Sequence, residues 1–249
     1  MAAASHDGEP VHVALVEAML SAVGLDSSHL LCPPGWPLSE EAIRRHQALG
    51  RRRAQKVWHS CSGKHTAWLR ACTARGWPTE SYLTPDHPLQ DRIAEFVTEL
   101  GEYPVTPVGV DGCGAPVLRT TTRVMALLYA RLATLPVAQE VFGAMHRYPA
   151  LVSGTGNGDT AVATALNAVA KRGAAGCAGV AIENRLGLAV KSWDGTQAVV
   201  DSAVVNTLMA LGELPPHAAA QLASFARPPV LGGGRQVGEL ESMVELHWA

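Results

Sequence analysis

Apolar positions at Val13, Leu15, Val16, Met19, Leu20 and Val23 recur at helical spacing and stop at Gly24, so a helix is predicted after the unpatterned opening MAAASHDGEP. Pro33, Pro34 and Pro37 then mark a loop, and Ser39 ahead of Glu41 and Ile43 predicts a capped helix running toward Arg51, Arg52 and Arg53. Two more helices are predicted, from Cys61 to Ala74 and, through Ile93, Phe96, Val97 and Leu100, from Leu89 to Leu100; a Pro-bounded loop from Tyr82 to Pro88 precedes the second. Tyr103 to Val110 predicts a strand ending in the tight turn Asp111-Gly112-Cys113-Gly114, followed by helices at Arg123–Leu132 and from Val137. Ser153 to Gly158 predicts a loop, and Thr160 to Val169 an Ala-rich helix. Ala178–Ile182 and Leu186–Ser192, separated by Glu183-Asn184-Arg185, predict a hairpin. Helices around an antiparallel sheet make an α+β fold. No linker divides the chain, so one domain is expected over 1–249, with 228–249 and its glycine triplet as a peripheral tail.

Composition narrows the partners. Twenty Lys and Arg stand against 22 Asp and Glu, which leaves no general basic field for nucleic acid. The longest near-continuous apolar stretch, Val124–Ala130, falls far short of the ~20 residues that span a bilayer, and no charged-then-apolar leader opens the chain. A soluble, cytoplasmic protein without membrane or nucleic-acid partners is expected. The five cysteines, Cys32, Cys61, Cys72, Cys113 and Cys177, are odd in number and widely spaced, which suits core filling or metal binding better than a disulfide framework.

The densest chemistry lies in Ser60-Cys-Ser-Gly-Lys-His65. A phosphate-binding loop would need a glycine where Trp58 stands and Ser or Thr where His65 stands, so the cradle of backbone amides is missing. Cys61 and Lys64 share one helix face at a predicted N-terminus, where the dipole favours a thiolate, and Cys113 sits in a glycine turn. Two thiolates and one more donor suit zinc; two buried small hydrophobes is the alternative that spacing leaves open. Asp111 is either a turn residue or a group that holds such a ligand set in place.

Four strings taken together, CSGKH (61–65), YLTPDHPLQ (82–90), VDGCGAP (110–116) and SGTGNGDT (153–160), resemble in order the rhizobial-type L-asparaginases of the asparaginase II family, from Ala4 to about Gly195. The resemblance implies a fold similar to serine β-lactamases and glutaminases, and zinc held by Cys61, Lys64 and Cys113. It also implies asparagine hydrolysis to aspartate and ammonia with Ser5 as hydroxyl and Lys191 as base, and His6, Thr155 and Asp159 near substrate in a homodimer. A lysine kept neutral could take the proton of a hydroxyl that is otherwise a poor nucleophile. The sequence departs from the family in three places. The family carries a serine–lysine motif, S-x-x-K, upstream of ASH-x-GE, and no serine here has lysine three positions on, so an N-terminally shortened member is expected. Ser60 stands where the family has Asn, and Asn157-Gly158 replaces a bulkier pair. The competing expectation is a catalytically silent zinc-holding homologue acting as a binding or oligomeric protein.

Overall fold

A computed structural model describes residues 1–248. In chain order the elements are α1 (Pro10–Ser21), α2 (Glu40–Ala48), α3 (Ser62–Arg75), α4 (Pro88–Gly101), β1 (Pro107–Val110), β2 (Pro116–Leu118), α5 (Thr122–Thr134), α6 (Gln139–Arg147), α7 (Pro149–Val152), α8 (Gly158–Ala165), β3 (Ala168–Gly173), β4 (Cys177–Ile182), β5 (Leu186–Lys191), α9 (Gln197–Ala210), α10 (Pro216–Gln221), α11 (Ala223–Ala226), β6 (Pro229–Gly232) and β7 (Arg235–Glu239). Helices with small antiparallel sheets make the protein α+β, as the hydrophobic pattern predicts. Among the described residues no single helix is long and apolar enough to cross a membrane.

The chain forms two compact units: Met1–Val124 with Ala150–Thr155, and Met125–Pro149 with Gly156–Ala249. In the first, local chemistry sets the helix ends. Pro10 starts α1, and the Glu9 N–H donates to His12 Nδ1 at 3.1 Å. Ser39 caps α2 by accepting from the Ala42 N–H at 3.2 Å, while Gly50, at φ 72°, ends it, so Arg51–Arg53 lie beyond the helix. Gly76 closes α3 in the left-handed conformation. The core of this unit joins Val13, Val16 and Leu20 of α1 to Leu69 and Cys72 of α3, around Trp58, Tyr82, Leu89 and Cys113. The glycine turn after β1 leads first into β2, which pairs Val110 with Pro116; the helix expected next follows only afterwards, as α5. A short strand bounded by Pro116 and Arg119 carries too few residues to show alternation.

The second unit is organised by the meander β3-β4-β5. Its hairpin β4–β5 is the predicted one, with Ala181 opposite Gly187 and Ile182 opposite Leu186. The Ala-rich helix is shorter than predicted: α8 stops at Ala165, and Ala168 and Val169 begin β3, facing Ile182 and Ala181. Alanine favours helix in isolation, but a ready antiparallel partner and burial of Ala168 and Val169 override that preference. α8 and α9 supply Val162, Val200, Val204 and Leu208 to the core against Ala170 and Val180. In the segment expected to be peripheral, β6 and β7 form an exposed hairpin, while the Ser242 hydroxyl meets the buried Ser202 hydroxyl at 2.7 Å.

Two sheet glycines are set by close approach. A Cβ at Gly179 would fall 2.0 Å from the Tyr129 ring, and one at Gly187 would fall 2.1 Å from the Ala126 carbonyl of α5. Overpacking against a helix backbone cannot be relieved by rotating a side chain. Gly187→Ala should therefore lose on the order of 3 kcal/mol of stability in urea unfolding. Gly143→Ala in α6, where an added Cβ meets nothing, should gain about 1 kcal/mol from helix propensity.

Candidate functional site

Cys61 is the last residue before α3, so its sulfur stands at the positive end of the helix, and Lys64 follows one turn later. The Cys61 N–H donates to His59 Nδ1 at 3.1 Å, which holds this end in place. Cys113 comes from the turn between β1 and β2. That turn is closed by Asp111 N–H to the Ala115 carbonyl and Gly114 N–H to the Asp111 carbonyl, each at 2.8 Å. Gly114 has φ 87°, and a Cβ there would meet Leu83 Cδ1 at 3.0 Å, so the turn requires glycine. The two elements bring Cys61 Sγ, Cys113 Sγ and an Asp111 carboxylate oxygen within 4.8 Å of one another. Lys64 Nζ donates to Cys113 Sγ at 3.4 Å and lies 5.0 Å from the Trp68 ring centre. Cys113 Sγ in turn lies 3.4 Å from Asp111 Oδ2.

The electrostatics follow from the sulfur–sulfur contact. A hydrogen bond from Cys113 outweighs burial and, with Lys64, brings the Cys61 thiol down to about 6. The same contact, with burial, pushes Cys113 up to about 12. The two sulfurs titrate as a coupled pair, with Cys61 the more acidic of the two. Beside them lies the fully buried His65, whose Nε2 has no hydrogen-bond partner among the described residues. Two sulfurs, a carboxylate and an amine converging in a part-buried place match the donor chemistry of a soft divalent cation, and the Cys61–Asp111–Cys113 cluster could hold a metal ion.

The other predicted residues fall as follows. Ser5 is in the first unit, half-buried, with its N–H donating to the Val152 carbonyl at 3.0 Å. His6 is fully buried, with Nε2 2.8 Å from Ser62 Oγ and Nδ1 accepting the Gly8 N–H, so it ties the Ser5 segment to the start of α3. Thr155 in that unit donates through N–H and Oγ1 to the Glu9 carboxylate at 2.7 and 3.1 Å. In the second unit the buried Asp159 accepts the Thr160 and Arg172 N–H groups at 3.0 and 2.8 Å. Lys191, also in the second unit, is exposed and donates from Nζ to the Ala175 carbonyl at 2.7 Å and to the Ser192 carbonyl. Sequence reasoning passed over Glu9, Ser62 and Tyr82. Glu9 and Tyr82 stand inside the quoted motifs, which was the available signal, whereas the Ser62 partnership spans 56 positions and has no local trace.

Fold and cluster together define an α+β protein with a built sulfur–carboxylate site. The model of the L-asparaginase II family matches residues 1–242, and the chain belongs to that family. No curated protein gave a significant match.

Chelator-treated protein exposed to iodoacetamide should be alkylated first at Cys61, because only the thiolate attacks. Its rate should rise through a midpoint near pH about 6, while Cys113 stays unmodified up to pH about 9 and Cys32, raised to about 11 by burial, stays unmodified with it. Peptide mapping across a pH series reads this directly.

Proposed function

We propose that the protein hydrolyses the side-chain amide of L-asparagine to L-aspartate and ammonia on a fold similar to serine β-lactamases and glutaminases. The match over residues 1–242, taken with the sulfur–carboxylate cluster at the start of α3, carries this reading. The donor set would hold zinc through Cys61, Lys64 and Cys113, with Asp111 beside them. When bound, zinc supplies a fixed positive charge that orients the polar groups of the substrate. Lys64 ligates only as the free amine and Cys113 only as the thiolate, so loading releases protons and weakens as pH falls.

In this reading the Ser5 hydroxyl attacks the amide carbon and Lys191, as the neutral amine, takes its proton. The C–N bond breaks as the leaving nitrogen is protonated, ammonia departs, and water then hydrolyses the resulting ester to free aspartate and regenerate Ser5. His6, Thr155 and Asp159 line the substrate site, zinc is the cofactor, and a cytoplasmic homodimer is the working form. Motif matches at Ala4–Glu9 and in 153–160 support these assignments.

One observation favours a second reading, a metal-holding protein that binds without turnover. Lys191 Nζ is exposed and donates to the Ala175 and Ser192 carbonyls, contacts that anchor the amine within its own unit. Zinc-replete protein should release ammonia and aspartate from asparagine in equal amounts, and Ser5→Ala and Lys191→Met should each lower the rate by on the order of 10²–10⁴-fold. Cys113→Ser should lower zinc content and, with it, the rate by more than about tenfold. Stoichiometric zinc without ammonia from the unaltered protein would replace the enzyme reading with the second one.

A further inference from the structure

The meander β3-β4-β5 is flanked by two strands with one neighbour each, and their outer edges differ. On β3 the outward Ala168 carbonyl accepts from His146 Nδ1 of α6 at 3.1 Å, and the outward Arg172 N–H donates to the Asp159 carboxylate of α8 at 2.8 Å. Side chains thus cover that edge. At the end of β5 the Ser192 N–H donates to the Gly176 carbonyl at 2.9 Å, which sets the alternation along the strand. Leu186, Leu188 and Val190 bond to β4, and the backbone groups of Gly187, Ala189 and Lys191 point away from it. Those outward N–H and C=O groups meet no partner among the described residues.

The two hairpins offer no such edge. β1, β2 and β6 each begin with proline, and both ribbons lose register, between Pro107 and Gly109 and between Val230 and Leu231. Prolines and bulges blunt an edge against pairing. β5 runs six residues without either.

We infer that β5 is a homodimer interface: two copies pair antiparallel through this edge about a two-fold axis at Ala189, joining their meanders into one continuous sheet. With Ala189 opposite Ala189, Gly187 of each copy comes opposite Lys191 of the other, and every outward N–H and C=O is met. On the opposite face Leu188 comes beside Val190 of the second copy, so half-buried apolar side chains complete one another. An axis at any other β5 residue carries Gly187 or Lys191 past the end of the opposing strand. One at Leu188 also sets Lys191 against Arg185, and one at Lys191 sets it against itself, like charges that repel. The joined sheet ends on β3 in both directions, where the edge is already covered, so assembly closes at two copies.

The inference deepens the homodimer of the proposed function and rests on that reading. One six-residue ribbon is a small interface, so the dimer should dissociate in the micromolar range. Sedimentation equilibrium of the full chain at micromolar concentrations should therefore show monomer and dimer in exchange. Ala189→Pro removes the N–H nearest the axis from each copy without breaking a bond within the chain, and should raise the dissociation constant by more than about tenfold. Ala189→Cys places two sulfurs across the axis on Cα atoms about 5.5 Å apart, within disulfide range. Mild oxidation should then link the copies through residue 189, as read by peptide mapping. Unaltered protein that is monomeric throughout removes the homodimer reading and this pairing with it. A dimer whose dissociation constant is unmoved by Ala189→Pro, or whose Ala189→Cys form yields no 189–189 linked peptide, keeps the homodimer and overturns the β5 interface. If Ala189→Pro does not fold, the cross-link alone decides.

Discussion

Two sulfur atoms held this close cannot both be thiolates unless something positive stands between them. Cys61 and Cys113 resolve the conflict by titrating apart, the first driven down to about 6 and the second up to about 12. The surroundings serve that arrangement. The start of α3 brings a positive dipole end to Cys61, and Lys64 brings a cation to Cys113. The glycine turn holds Cys113 where neither sulfur can retreat. A divalent cation between the sulfurs would remove the same repulsion more completely, and the Cys61–Asp111–Cys113 cluster could hold one.

Buried imidazoles hold the first unit around that pair in one repeated way. His6, His12 and His87 each accept a nearby backbone N–H at Nδ1, from Gly8, Glu9 and Leu89, and each turns Nε2 toward another segment: Ser62, Ala150 and Pro78. Local geometry chooses the tautomer, and the tautomer then makes the long-range bond. His65 departs from this rule: its Nδ1 meets the Tyr82 hydroxyl at 2.7 Å in place of an amide. His6 and His12 also stack at 5.0 Å, so the strut linking the Ser5 segment to α3 is packed as well as hydrogen-bonded.

What the sequence made readable follows from range. Helices with periodic apolar faces and local caps, α1 to α4, needed only neighbours a turn away, and Ser39 marks the start of α2 in plain view, while Pro10 and Gly76, which bound α1 and α3, were not read as ends. The β4–β5 hairpin was readable for the same reason. β3 was not, because Ala168 and Val169 are strand residues only by virtue of the partners Ile182 and Ala181. At the site, Cys61 and Lys64 lie within one helical turn and could be paired on sight, whereas Cys113, 52 positions on, was an open candidate that spacing alone could not separate from a buried core residue. Asp111 read equally well as a turn former or as a group supporting a metal, and it does the first while standing at the second: its backbone closes the turn, and its carboxylate lies in the cluster. The Tyr82–His65 contact crosses two motifs and carries no periodic signal at all.

Cys61 and Lys64 also show why spacing alone does not assign chemistry. A nucleophile three residues before a lysine on a helix is the arrangement that lets an amine take a proton from a hydroxyl or thiol. In this protein the lysine passes over Cys61 and directs Nζ to the sulfur of Cys113, a residue from another element. Cys61 owes its lowered pKa first to Cys113 and only then to Lys64. The pair is thus arranged to hold charge in place rather than to move a proton along the helix, and the same end of α3 also anchors the Ser5 segment, through His6 to Ser62 and through the His6 N–H to the Ser60 carbonyl.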